Sequence, residues 1–196
     1  MNFLAHQFLS FEIEPIMVGN FIADTVKGKA FEHYDPEIQK GILLHRFIDT
    51  FTDSHVTTLQ SRERLYAHFG KYAAVVQDVF YDHFLALNWS DYHKKDLNEF
   101  TDFIYSTLGD YRSVFNERAA RTFHYMHLQD WLGNYATQEG IDRALTGLSH
   151  RARFPSNMEE SLPALSEHGK AISNDFKTFF PDLIAATQSK LVEINS

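Results

Sequence analysis

The segment Tyr72-Ala-Ala-Val-Val-Gln-Asp-Val-Phe-Tyr-Asp-His-Phe-Leu-Ala86 has no proline, no glycine and no strand-like alternation. Apolar side chains surround it on nearly every side of a helical projection. It predicts a helix, and a helix that is greasy all round belongs in a core. Two acids interrupt it. Asp78 and Asp82 are four apart and share a face, and His83 points to the next one. Ionised carboxylates in such a setting are costly unless paired or bound to a metal. A divalent cation, or an arginine, would relieve their mutual repulsion.

The same theme recurs on both sides. Gly41-Ile-Leu-Leu-His-Arg-Phe-Ile-Asp-Thr-Phe51 carries His45 and Asp49 on one stripe, with Arg46 beside them and Asp53 and His55 just beyond. Val18-Gly-Asn-Phe-Ile-Ala-Asp-Thr-Val26 carries Asn20 and Asp24, again four apart. His6 interrupts Phe3-Leu-Ala-His-Gln-Phe-Leu9. Polar insertions on four apolar helices point to one polar cavity inside a bundle, where helical proteins build metal sites. The competing reading is a structural ion-pair network of Asp49, Asp78, Asp82 and Arg46, with His6 and His83 as hydrogen-bonded core residues. His124 and His127 sit among aromatic residues and read as helix packing or a pocket wall.

Caps and breakers extend the helical reading along the chain. Helices are expected over about 2–10, 15–28, 35–52, 57–69, 72–89, 96–108, 111–135 (one or two) and 138–150. Residues 155–196 read as a C-terminal helical hairpin restarted by Pro181. Only 5 prolines and 9 glycines in 196 residues favour long helices over a turn-rich β fold. The expectation is an all-α, single-domain helical bundle.

Composition narrows the chemistry. With no cysteine, a metal must be held by His, Asp, Glu, Asn or water. Imidazole with carboxylate suits manganese, iron, zinc or magnesium. A net charge of -8 argues against a nucleic-acid partner. The opening Met1–Ser10 has no basic leader and no apolar run reaches membrane-span length, so no membrane partner and a cytoplasmic location are expected. Nothing in the sequence sets the oligomeric state.

Several of these pieces together resemble the bacterial acyl carrier protein phosphodiesterases. They are Met1-Asn-Phe-Leu-Ala-His6, Gly19-Asn-Phe-Ile-Ala-Asp24 with Lys27-Gly28, and Gly41-Ile-Leu-Leu-His-Arg-Phe-Ile-Asp49. Thr52-Asp-Ser-His55 and Asp78-Val-Phe-Tyr-Asp-His-Phe-Leu85 with Trp89-Ser90 complete the set. The order and spacing hold over the first half, and the likeness thins later to Trp131-Leu and Phe179-Phe-Pro181.

The resemblance implies an atypical branch of the HD-type metal phosphohydrolases, all-helical and manganese-dependent. Its substrate is holo-acyl carrier protein, split at the phosphodiester between 4'-phosphopantetheine and a serine. On that basis His6, Asp24, Asp78 and Asp82 are expected to ligate the metal, probed first as Mn2+ with Mg2+ or Fe2+ as alternatives. His45 and His83 are candidates for a remaining ligand or a general acid, with Asp49 orienting one of them. Arg46 is expected on a phosphate oxygen, with Asn20 and Asp53 as further substrate contacts. Carrier proteins present acidic helices, so the arginine clusters 62/64, 112/118/121 and 143/151/153 are candidate docking sites. The rival functions are a metal phosphohydrolase for a nucleotide or other small phosphoester, and a non-enzymatic helical binding module.

Overall fold

The computed structural model describes residues 1–196 and contains no strand, as the pattern of breakers and periodicity predicts. Eleven α-helices succeed one another: α1 (Phe3–Phe8), α2 (Glu14–Ile22), α3 (Pro36–Ser54), α4 (Val56–Phe69), α5 (Ala73–Leu87) and α6 (Trp89–Tyr92). After them come α7 (Leu97–Asp110), α8 (Glu117–Leu128), α9 (Trp131–Asn134), α10 (Gln138–Ser149) and α11 (Ser161–Ile194). Several starts are set as their sequences dictate. Asp35 caps α3 through the Glu37 N–H, with Pro36 in the first turn, and Asp96 and Asn116 cap α7 and α8. None of the helices is long and apolar enough to cross a membrane.

The greasy helix α5 is central. Helices α1, α4, α10 and α11 pack on it, and Val76, Val79, Phe80, Tyr81 and Leu85 are buried there. The core includes buried apolar side chains from Met1 to Leu183. His127, exposed on α8, stacks on Tyr105 with centroids 4.9 Å apart.

The α2–α3 crossing brings backbone against backbone. A Cβ on Gly19 would lie 2.1 Å from the Ile38 carbonyl oxygen, and one on Gly41 would lie 2.3 Å from that of Ile16. Only two glycines facing each other let these backbones meet. The crossing also fixes two polar residues: Asn20 next to Gly19, and His45 one turn beyond Gly41.

The C-terminal region differs from expectation. It forms no hairpin, because α11 runs unbroken for 34 residues with Pro181 inside it. Proline removes one hydrogen bond and crowds the preceding turn. That cost is outweighed by an apolar stripe passing straight through it: Leu165, Ile172, Phe176, Phe179, Phe180 and Leu183 are all buried.

Candidate metal centre

Four elements bring five polar side chains together. His6 comes from α1, Asn20 from α2, and His45 and Asp49 from successive turns of α3. Asp24 sits on a tight 3-10 turn, Ala23–Thr25, that ends α2 early and turns the carboxylate back toward α3. His6 Nε2 lies 3.1 Å from Asp49 Oδ1. His45 Nε2 lies 3.2 Å from Asp49 Oδ2 and 3.3 Å from Asp24 Oδ1. The two imidazoles are stacked, with centroids 4.1 Å apart.

Asn20 sets the chemistry of both rings. Its Nδ2 donates to the His6 carbonyl oxygen at 2.8 Å and to Ser10 Oγ at 3.1 Å. A carbonyl can only accept, so this fixes the amide, and Asn20 Oδ1 must face the rings. That oxygen lies 2.8 Å from His6 Nδ1 and 2.9 Å from His45 Nδ1. Both Nδ1 atoms therefore carry hydrogen and donate to it. Both Nε2 atoms are directed at carboxylate oxygens.

The charges result from that arrangement. For His6, burial and the neighbouring charge of His45 outweigh the pull of Asp49 and lower its pKa to about 4. For His45, burial opposes the charged ring, but hydrogen bonds to Asp24 and Asp49 win and raise it to about 9. Asp24 is held below the usual carboxylate range chiefly by its hydrogen bond to His45. Burial works against ionised Asp49, yet the two imidazoles hold it well below that range. A neutral His6 thus points a bare Nε2 lone pair at a carboxylate. Protonating both rings would instead stack two cations at 4.1 Å. One divalent cation placed among both Nε2 atoms and Asp49, with Asp24 beside His45, would relieve this arrangement, so the donor set could hold a metal. His6, His45 and Asp49 each offer a ligand atom within 4.8 Å of the others.

These groups line a cleft of about 250 Å³, bordered also by Met1, Phe3, Phe21, Asp53, Val75 and Asp78. The imidazoles are buried at its back. Asp24 and Asp49 face solvent, with side chains 67% and 43% exposed.

Other expected site residues are elsewhere or otherwise engaged. Asp82 is fully buried and accepts backbone N–H groups of Leu4, Asn2 and Ala5 at 2.7, 3.2 and 3.4 Å. It neutralises the N-terminal end of α1 and does not border the cleft. Asp78 does border the cleft, but it pairs with the Met1 α-ammonium at 3.0 Å. The two acids of α5 are reconciled by a helix end and an ammonium group, so neither is placed as a ligand. Burial raises both, Asp82 to about 7, against the opposing effect of that ammonium.

His83 donates from Nδ1 to the Tyr135 carbonyl at 2.6 Å and is a core residue away from the cleft. Arg46 donates to the carbonyls of Val26 and Gly28 and lies over the Phe31 ring. It clamps the loop behind Asp24 and does not line the cleft. Asp53 does line it, held at 2.7 Å by Arg62. Asn20 contacts the imidazoles, where a substrate contact was expected. Its signal in the sequence was its place four residues before Asp24 on an otherwise apolar helix.

The family model for acyl carrier protein phosphodiesterase matches residues 1–183. A protein of Salmonella paratyphi A named acyl carrier protein phosphodiesterase is 29% identical over 97% of this chain and 99% of its own length. Proteins of the same name from Salmonella agona and Salmonella newport are 28% identical over the same shares. No solved structure matches the chain. Taken over nearly the whole length, the family and relative matches show that the chain belongs to the acyl carrier protein phosphodiesterase family.

Proposed function

We propose that this protein hydrolyses the phosphodiester between 4'-phosphopantetheine and a serine of holo-acyl carrier protein, releasing apo-carrier and 4'-phosphopantetheine. The observation that carries the reading is the pair of imidazoles whose Nδ1–H groups both rest on Asn20, leaving both Nε2 atoms among acids. His6, His45, Asp49 and Asp24 would hold a divalent cation. Two nitrogen donors disfavour Mg2+, which prefers oxygen throughout, and leave Mn2+, Fe2+ or Zn2+ as the better candidates. A bound divalent ion there supplies neutralisation of phosphate charge and a more acidic water.

The chain's own groups do the rest. Asn20 orients both rings. Asp49 spans them with its two oxygens, and Asp24 closes the solvent side. Asp78, raised by burial, puts a second acid–base group in the same cleft. Phe3, Phe21 and Val75 offer an apolar wall to the uncharged pantetheine arm. Arg46 keeps the Asp24 turn in place by gripping the carbonyls of Val26 and Gly28.

The test is incubation of purified protein and Mn2+ with holo-carrier, then intact mass. Loss of the prosthetic group with wild type, and none with His45→Gln, supports the proposal. An unchanged carrier mass with wild type at every divalent ion tried contradicts it.

A further inference from the structure

Helices α4 and α11 run antiparallel and are tied by a ladder of polar contacts. His55, which caps α4, faces Asp182 at 3.4 Å. One helical stretch on, Asp175 accepts from Ser61 Oγ at 2.6 Å and pairs with Arg64. At the far end the ladder changes character. His68, in the last turn of α4, meets Glu167 and His168 of α11, and each imidazole takes a different oxygen of the one carboxylate. His68 Nε2 lies 3.7 Å from Glu167 Oε2, and His168 Nε2 lies 3.5 Å from Glu167 Oε1. The ring centroids are 5.5 Å apart, edge to face.

We infer that His68, Glu167 and His168 form a second divalent-cation site, distinct from the cleft, that clips α4 to α11 and takes zinc or a similar imidazole-preferring ion. The three offer ligand atoms that all lie within 4.8 Å of one another. Ligand atoms around a tetrahedral zinc with bonds of ~2.1 Å are separated by about 3.4 Å. The two histidine–carboxylate separations are near that edge length and the third lies within 4.8 Å, so side-chain rotation would have to bring both imidazoles onto one carboxylate oxygen.

Exposure leaves room for water as the fourth ligand, since the Glu167 side chain is 62% exposed and that of His68 39%. A cation here also faces the carbonyl end of α4, which favours positive charge. The backbone of His68 is already fixed, because its carbonyl accepts from Asn157 Nδ2 at 3.3 Å.

Ligand substitution separates this site from the cleft, which also offers two imidazoles and a carboxylate. Two imidazoles and one carboxylate on an open surface select by affinity order, and Mn2+ is at the bottom of that order with zinc well above it. The clip closes a loop of about a hundred residues, so a bound ion would stabilise the folded chain by simple linkage.

The experiment is equilibrium dialysis of the full chain against buffered micromolar free zinc, with zinc counted per chain and Tm recorded. The inference predicts that His68→Gln/His168→Gln holds one zinc fewer than wild type and loses most of the zinc-induced rise in Tm. Its Mn2+-dependent activity should stay at the wild-type level. Glu167→Gln should weaken zinc binding at least tenfold without touching either imidazole. The reciprocal variant His6→Gln/His45→Gln should keep the clip zinc. Equal zinc content in wild type and His68→Gln/His168→Gln, or an additional ion appearing only at millimolar zinc, would overturn the inference.

Discussion

Asn20 touches two rings at once, and that double contact makes it worth more than a single hydrogen bond. Partners that fix imidazole orientation typically contribute 10–100-fold in metal affinity. Asn20→Ala should therefore weaken Mn2+ binding by roughly that factor, measured by calorimetry, even though Asn20 offers the metal nothing. The neighbouring proton is equally testable. His45 has its pKa raised to about 9, held there by Asp24 and Asp49. A cation must displace that proton, so Mn2+ affinity should climb about tenfold per unit between pH 6.5 and 9 and flatten above. The same shift sets a stability trend in chelator. A raised histidine stabilises fully below its unfolded value near 6.5, and that contribution is lost as pH rises to about 9. Thermal melts of the chelated protein should show its Tm declining across that window. Asp82 gives the opposite kind of test. As a cap on α1 it should matter equally with and without metal, so Asp82→Ala should cost about 2 kcal/mol in denaturant melts even in chelator. A cost seen only with metal present would return Asp82 to the ligand set.

At the level of elements, the candidate metal centre depends on how closely α2 meets α3. Gly19→Ala would drive a methyl group into the Ile38 carbonyl, and backbone cannot swing aside as a side-chain tip can. The expected cost is about 1–3 kcal/mol in unfolding free energy. Mn2+ affinity should fall with it, because Asn20 and His45 separate together. The helices themselves were legible in the sequence. Asp35-Pro36, Asp96 and the greasy run from Ala73 to Leu87 each announced an element that exists. Pro181 misled, because a breaker is a local signal, while the stripe from Leu165 to Leu183 that overrides it acts through the core. The site was legible in outline for a similar reason. A polar residue on an apolar helix shows that something compensates it, without saying what. His6, Asp24, His45 and Asp49 meet, whereas Asp78 and Asp82 find an ammonium group and a helix end that no spacing rule reveals. His83 finds the carbonyl of Tyr135, 52 residues away.

The whole molecule carries a net charge of -8, yet the proposed substrate is carried by an acidic protein. A local basic surface must offset that repulsion. In the 62/64 cluster both arginines are engaged, with Asp53 and Asp175. Arg118 and Arg121 of α8 are exposed and form no ion pair, and Asn116 at the start of α8 donates to Thr25, next to Asp24. Reversing both to Glu should raise KM for holo-carrier about tenfold with kcat unchanged. An unchanged KM would move docking to another face. The proposed chemistry rests on the cation itself, and diffraction at the manganese absorption edge from crystals grown with Mn2+ locates it. An anomalous peak bonded to His6 Nε2, His45 Nε2 and an oxygen of Asp49 is the predicted result. A peak bonded instead to Asp78 or Asp82, with the two imidazoles bare, would contradict it.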